Sequence, residues 1–356
     1  MIRVVVADDS PTARALIVGL LAAEADMRVV GEASSGTEAV DLAERLLPDL
    51  ITMDVQMPEL DGIEATRLIM TRSPRPILIV SSVTGVDVEL SLEATRSGAL
   101  MVIAKPQGVH SPTHEHDRRQ LVSMVRALAG VKVVRRHGSP AITPLSTPRQ
   151  SARVQTWHGD AHPFGGPYAA LAIAASTGGP AALRTIFSQL DANFPLPILV
   201  VQHIAKGFTE GLAHWLAGGS ALRFRIAESG EPLRAGTVYF APDGRHLGVR
   251  RDHLHVLRIQ LDDGPPLGTF RPSATHLFRS CAEQLGRNVL ALILTGMGDD
   301  GVQGLRDVHR AGGRVMAQDE ASSVIFGMPR EALLAGVVHD VVPLDDVARR
   351  LREVAP

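Results

Sequence analysis

The sequence predicts an α/β protein in which two parallel-sheet units are joined by a linker, and three observations carry that expectation. The chain has 356 residues, more than one ordinary domain requires. Short β-branched runs alternate with helix-sized stretches, the pattern of βαβ units. Charge is divided along the chain. Residues 1–107 carry 9 Arg/Lys against 16 Asp/Glu, a net of −7, and residues 108–165 carry 8 against 3, a net of +5. Residues 166–356 carry 19 of each, so the overall −2 conceals three segments.

In the first unit, strands are expected at 2–7, 28–33, 49–53, 76–81 and 99–103. Helices are expected at 12–23, 36–47, 63–70 and 86–97, with a closing helix near 120–128. The cluster of His110, His114 and His116 reads as a solvated loop without chemistry. From 131 the rhythm breaks into Ser-Pro, Thr-Pro, His-Pro and Gly-Gly-Pro steps among basic residues, an extended flexible linker. The expected division is therefore 1–125, a linker over 126–166, and a second unit over 167–356. That unit resumes with apolar strands at 168–175 and 197–202 and a helix at 181–190 between them. Shorter strands at 237–241 and 253–257 suit an antiparallel arrangement, and buried strands follow at 289–295 and 314–317.

Composition excludes several classes. Apolar residues are 45% and aromatics 4%, so the cores are built from Ala, Val, Leu and Ile. A single cysteine, Cys281, excludes an internal disulfide and a Cys-based zinc site. Apolar runs such as 289–294 are far too short to insert into a membrane, and residues 1–9 lack a signal-peptide pattern; a cytoplasmic protein is expected. No helix-turn-helix pattern accompanies the basic segment, so nucleic acid is not an expected partner. Only three of the 36 cations are lysines: Lys105, Lys132 and Lys206.

Two constellations carry chemistry. Asp8 and Asp9 follow the first strand, Asp54 the third, Ser81 ends the fourth and Lys105 follows the fifth. In an open parallel sheet these carboxyl ends converge on one crevice. Carboxylates there suit a hard cation such as Mg²⁺ and a phosphoryl group, and one of them can be the nucleophile. Lys105 supplies a compact positive charge that a guanidinium would not replace. With Asp54 set in Asp-Val-Gln-Met-Pro-Glu-Leu-Asp-Gly and Lys105 before Pro106, residues 1–125 resemble the receiver domain of response regulators. The resemblance implies a flavodoxin-like sheet of order 2-1-3-4-5 and phosphorylation of Asp54 by a histidine kinase. It implies Mg²⁺ on Asp9, Asp54 and the Gln56 carbonyl, with Asp8 acting indirectly, and Ser81 and Lys105 on the phosphoryl group. Val102 departs from the aromatic switch residue of many receivers.

The second constellation begins at Ser176-Thr177-Gly178-Gly179, directly after a strand and before a helix. Such a serine reads as a nucleophile with an oxyanion pocket, as a phosphate-binding turn, or as a helix N-cap. His203 ends the next strand, and the strand at 289–295 runs into Gly296-Met297-Gly298-Asp299-Asp300-Gly301. A serine, an imidazole base and an orienting acid are the components of a hydrolytic triad. The chain order and the missing Gly-x-Ser-x-Gly elbow disfavour an α/β-hydrolase. Of eight histidines in this unit, His246 is the main rival to His203 as base, while His253 and His255 are expected to alternate on a strand.

The stretches Ala-Ser176-Thr-Gly-Gly, Val-Gln-His203, Ala-Pro-Asp-Gly-Arg-His246, Arg271-Pro-Ser273 and Leu-Thr-Gly-Met297-Gly-Asp-Asp300-Gly resemble the protein-glutamate methylesterase and glutaminase (CheB) family. The resemblance implies a doubly wound, mostly parallel catalytic unit with Ser176, His203 and Asp300 as triad. It places Thr177 and the backbone near Met297 beside the oxyanion, and requires no cofactor for ester hydrolysis. Implied partners are the methylation helices of chemoreceptors as substrate and a chemotaxis kinase as phosphodonor. A non-catalytic response regulator, or a hydrolase acting on another protein, is the alternative. Ala174, Asp299 and Ala274-Thr275-His276 depart from the family pattern.

Overall fold

The computed structural model describes residues 1–82, 85–131, 133 and 168–355, so most of the expected linker, with Lys132, lies outside the described residues. The N-terminal unit contains β1 (Ile2–Ala7), α1 (Pro11–Ala22), β2 (Met27–Ala33), α2 (Gly36–Leu46) and β3 (Leu50–Met53). It continues with α3 (Gly62–Arg72), β4 (Ile77–Ser81), α4 (Gly85–Ser97), β5 (Met101–Ala104) and α5 (His114–Leu128). Its sheet has the order β2-β1-β3-β4-β5, all parallel, as expected. Ser10, Ser35 and Asp61 cap α1, α2 and α3 by accepting from backbone N–H groups three residues on. Ser10 and Ser35 follow closely on the ends of β1 and β2, while Asp61 closes the longer loop after β3, so the acidic loops are held at the carboxyl edge of the sheet.

The C-terminal unit contains β6 (Ala170–Ala175), α6 (Gly179–Phe187), β7 (Ile198–Gln202), α7 (Thr209–Ala217), β8 (Arg223–Ile226) and β9 (Thr237–Phe240). Next come β10 (His246–Arg251), β11 (Leu257–Asp262), α8 (Ala274–Leu285), β12 (Val289–Ile293) and α9 (Val302–Arg310). The last elements are β13 (Arg314–Gln318), α10 (Met328–Leu334), β14 (Asp340–Val342) and α11 (Leu344–Val354). Seven strands form one sheet, β14-β13-β12-β6-β7-β9-β8, in which every pair is parallel. The chain winds from β6 towards β8 and then returns to the other side of β6 to form β12, a topological switch point at which such sheets place their sites.

The structure corrects three local expectations. Residues 237–240 form a parallel strand, not an antiparallel one, and pair with β7 and β8. Residues 253–256 are no strand but the turn of the β10–β11 hairpin. There the Asp252 carboxylate accepts from the Leu254 and Val256 N–H groups, and His255 takes a φ of 59°. His114 and His116 belong to α5, because Asp117 accepts from the Gln107 N–H and the Thr113 hydroxyl and so fixes the helix start. The same helix ends at Leu128, as expected of the closing helix near 120–128, though it begins earlier.

The two units share a core. One hydrophobic cluster runs from Val88, Leu92 and Val102 of the first unit to Leu183, Leu212 and Trp215 of the second. Helix α4 lies so close to α7 that a Cβ on Gly211 would stand 2.2 Å from Val88 Cγ1. Trp215 Nε1 donates to Glu93 at 3.4 Å across the same seam. A narrow cavity of about 30 Å³ beside it is lined by Ala99 and Val102 on one side and Gly178, Ile204 and Val324 on the other.

Candidate active site

The site is built from the carboxyl ends of three adjacent strands, β12, β6 and β7. Ser176 leaves β6, with its N–H donating to Thr295 O at 3.0 Å beyond β12. His203 leaves β7, with its N–H donating to Ala175 O at 2.9 Å. Parallel register thus brings residues more than a hundred positions apart to one sheet edge. Gln202 tightens this arrangement: its side-chain Nε2 donates to Ser176 O at 2.8 Å and to His203 O at 2.9 Å. Its Oε1 lies where a Cβ on Gly179 would be, 2.0 Å away, so only glycine fits at the start of α6. Gly178 is also required, because its φ is +79° and a Cβ would meet Val324 Cγ2 at 2.6 Å.

His203 Nε2 faces Asp300 Oδ2 at 2.9 Å. Since the carboxylate only accepts, Nε2 carries the proton and Nδ1 the lone pair in the neutral ring. His203 Nδ1 is buried and has no hydrogen-bond partner among the described residues. The Ser176 hydroxyl, on a residue only 7% exposed, likewise makes no hydrogen bond within them. The Ser176–His203 bond is therefore not closed in this conformation, as is common where no substrate is bound.

Asp300 is the most heavily supported group of the site. Besides His203, it accepts from the Ser273 hydroxyl at 2.8 Å, the Ala274 N–H at 2.7 Å and the Thr275 N–H at 3.0 Å. These donors form the first turn of α8, which favours negative charge. Burial pushes the carboxyl up, but the bonds from His203, Ser273 and Thr275 outweigh it and hold the group at about 2. Thr275 also receives the Gly301 N–H on its hydroxyl at 2.9 Å, so the residues that depart from the family pattern here lock the acid loop to α8.

His246 has both ring nitrogens engaged. It is 1% exposed, accepts the Ser273 N–H on Nδ1 at 3.2 Å and donates from Nε2 to Pro265 O at 3.0 Å, leaving no free nitrogen. Asp299 is exposed, one residue from the acid yet outside its bonding network. Lys206, on the loop after His203, is exposed. Burial pushes the Cys281 thiol up to about 12, so it offers no thiolate.

Thr177 is fully buried, and its hydroxyl lacks a partner among the described residues. Neither the Thr177 N–H nor the Met297 N–H donates a hydrogen bond within them. The loop bearing Met297 packs tightly on Ser176: a Cβ on Gly296 would stand 2.6 Å from Ser176 Cβ.

The acidic cluster of the first unit is equally defined. Lys105 Nζ lies 2.7 Å from Asp54 Oδ2 and 2.9 Å from Asp8 Oδ2. The Val55 N–H donates to Asp54 Oδ1 at 2.7 Å, and the Ser10 N–H to Asp8 Oδ1 at 2.9 Å. Burial raises the Asp54 carboxyl, partly offset by Lys105. Ligand oxygens of Asp8, Asp9 and Asp54 lie within 4.8 Å of one another, with the Lys105 ammonium between Asp8 and Asp54. An all-oxygen donor set of this kind fits Mg²⁺. Ser81 is buried at the end of β4 and receives the Lys105 N–H on its carbonyl at 2.8 Å.

Residues 171–351 match the CheB methylesterase family, and residues 4–111 match the response regulator receiver domain. The chain belongs to the CheB methylesterase family. A protein-glutamate methylesterase/protein-glutamine glutaminase of Myxococcus xanthus (strain DK1622) is 50% identical over 98% of this chain and 96% of its own length. One from Anaeromyxobacter dehalogenans (strain 2CP-C) is 47% identical over 99% and 98%. The crystal structure of the Thermotoga maritima CheB methylesterase catalytic domain is 37% identical, covering 52% of this chain and 98% of that one with a TM-score of 0.51. Among the described residues, no helix of this CheB-family chain is long and apolar enough to cross a membrane.

Three supporting residues escaped sequence reasoning. Ser273 stood in a recognised motif without a role, although Pro-Ser ahead of an apolar helical pattern is an N-cap signal. Gln202 carries no signal in the sequence beyond the strand it ends. Phe270, whose ring stacks on His203, had no local signal.

Proposed function

We propose that this chain is a phosphorylation-controlled serine hydrolase that removes methyl groups from γ-glutamyl methyl esters on chemoreceptor methylation helices, and deamidates glutamine side chains by the same steps. The observation that carries the reading is the His203–Asp300 pair at 2.9 Å beside Ser176, on three adjacent strand ends. Ser176 Oγ attacks the ester carbonyl while His203 Nδ1 takes its proton. Asp300 holds Nε2–H and stabilises the imidazolium that forms. The unengaged N–H groups of Thr177 and Met297 are the oxyanion donors. The imidazolium returns its proton to the leaving methoxide, releasing methanol. Water, deprotonated by the same nitrogen, then releases Ser176 and leaves a glutamate carboxylate. On a glutamine the leaving group is ammonia.

In the receiver, Asp54 is the phosphate acceptor, with a chemotaxis histidine kinase as donor. Asp9, Asp54 and the Gln56 carbonyl would hold Mg²⁺, with Asp8 acting indirectly. Bound there, the cation neutralises charge on the incoming phosphoryl group. Lys105 and Ser81 contact that group. The receiver of 1–125 and the catalytic unit of 167–356 are joined by the basic stretch of 126–166, in a cytoplasmic protein. Gating is supported by the shared core: Val102 lines the cavity whose far wall is Gly178 and Ile204, neighbours of Thr177 and His203. Methanol release from methylated receptor membranes, with and without a small phosphodonor, tests the reading. Release that ignores both the donor and Asp54→Ala overturns the gating.

A further inference from the structure

The ring of Phe270 lies flat against the imidazole of His203, with centroids 4.2 Å apart and planes inclined by only 11°. Phe270 is set on a tight turn in which Leu267 and Phe270 exchange N–H···O bonds of 3.1 Å, with Gly268 at a φ of 62°. It belongs to none of the hydrophobic clusters among the described residues, and it is only half-buried. An aromatic side chain held at the surface by a closed turn, and spending its face on one imidazole, is not there to fill a core.

We propose that Phe270 is a positioning residue for the base, acting through His203 and resting on the assignment of His203 to that role. The constraint is steric first. A quarter turn of the imidazole about its Cβ–Cγ bond would drive a ring edge into the phenyl face. The stacked ring therefore holds the one plane in which Nε2 meets Asp300 and Nδ1 is left for Ser176. The constraint is also electrostatic. The negative face of the phenyl ring lies over the imidazole that becomes cationic during each proton transfer, and such contacts favour the charged form. Both effects act on the chemical step.

The test uses the full-length chain, activated with a small phosphodonor, and methylated receptor membranes. Phe270→Leu keeps apolar bulk but loses the flat face. It is expected to lower kcat roughly tenfold while KM stays within about twofold. Phe270→Tyr, which restores the face, is expected to recover kcat to within about twofold of the parent. Denaturation midpoints of both variants are read alongside, and Phe270→Met replaces Phe270→Leu if the latter does not fold. Wild-type kcat in the leucine or methionine variant overturns the proposal, as does failure of tyrosine to restore it. A rise in KM at unchanged kcat also overturns it, since that marks a substrate contact. His203→Ala separates this outcome from failure of the underlying reading: if that variant keeps its activity, His203 is not the base, whatever position 270 does.

Discussion

Asp300 joins His203 to the first turn of α8: one carboxylate accepts from the imidazole at 2.9 Å and from three groups at the start of that helix. The acid is thereby fixed before any substrate arrives, and so is the imidazole tautomer. The nitrogen left unengaged is Nδ1, the reverse of the arrangement in which Nδ1 faces the carboxylate. Asp300→Asn keeps an oxygen for the helix N–H groups but takes away the negative charge that selects this tautomer. It is expected to cut kcat by roughly a thousandfold or more with little change in KM, measured as methanol release.

The same carboxylate links folding to acid. Its native value of about 2 lies below the unfolded value, so the stabilisation is complete above about pH 4 and is lost as pH falls towards 2. The size is on the order of 2 kcal/mol. Urea unfolding of the parent should therefore weaken between pH 4 and 2 more steeply than that of Asp300→Asn. Parallel curves over that window would show that the Asp300 bonds add nothing to stability.

Gln202 bonds the carbonyls of Ser176 and His203 with one nitrogen. Gln202→Leu takes one donor from each carbonyl; Ser176 O keeps the Gly179 N–H, while His203 O loses its bond to the amide. A stability loss of about 1–3 kcal/mol is expected, together with a fall in kcat. Chemical denaturation and steady-state kinetics on the same preparation check the two effects. Full activity with unchanged stability would show that the strand pairing alone aligns the site.

Gating makes a prediction at the α4–α7 seam. A methyl group at position 211 would stand 2.2 Å from Val88 Cγ1, so Gly211→Ala must push the two helices apart or displace Val88. The variant is expected to raise methanol release several-fold without a phosphodonor and to narrow the gain that the donor gives. Its activity once phosphorylated should match the parent. Unchanged basal activity in a folded variant would place the gate elsewhere.

The parts of this protein most legible in its sequence are those governed by strand ends. Asp54, Lys105, Ser176, His203 and Asp300 all follow or end apolar runs, and parallel sheets gather such positions at one edge. Element positions were legible wherever burial on both faces gave a strand no polar alternation, as at β6, β7 and β12. Less was legible where short-range pattern and backbone geometry disagree. His253 to Val256 alternate like a strand, yet the Asp252 carboxylate closes them into a turn. His246 and His203 are indistinguishable as letters, and only the bonds on both nitrogens of His246 remove it as a base. Phe270 reaches His203 from a tight turn sixty-odd residues later, a proximity no spacing rule encodes.

The most direct measurement is methanol release from methylated receptor membranes by the full-length chain and by Ser176→Ala, each with and without a small phosphodonor. The parent is expected to release methanol, and to do so faster with the donor. Ser176→Ala is expected to release none above the membrane background in either condition. Release by Ser176→Ala at the parent's rate would contradict a serine hydrolase centred on Ser176, His203 and Asp300.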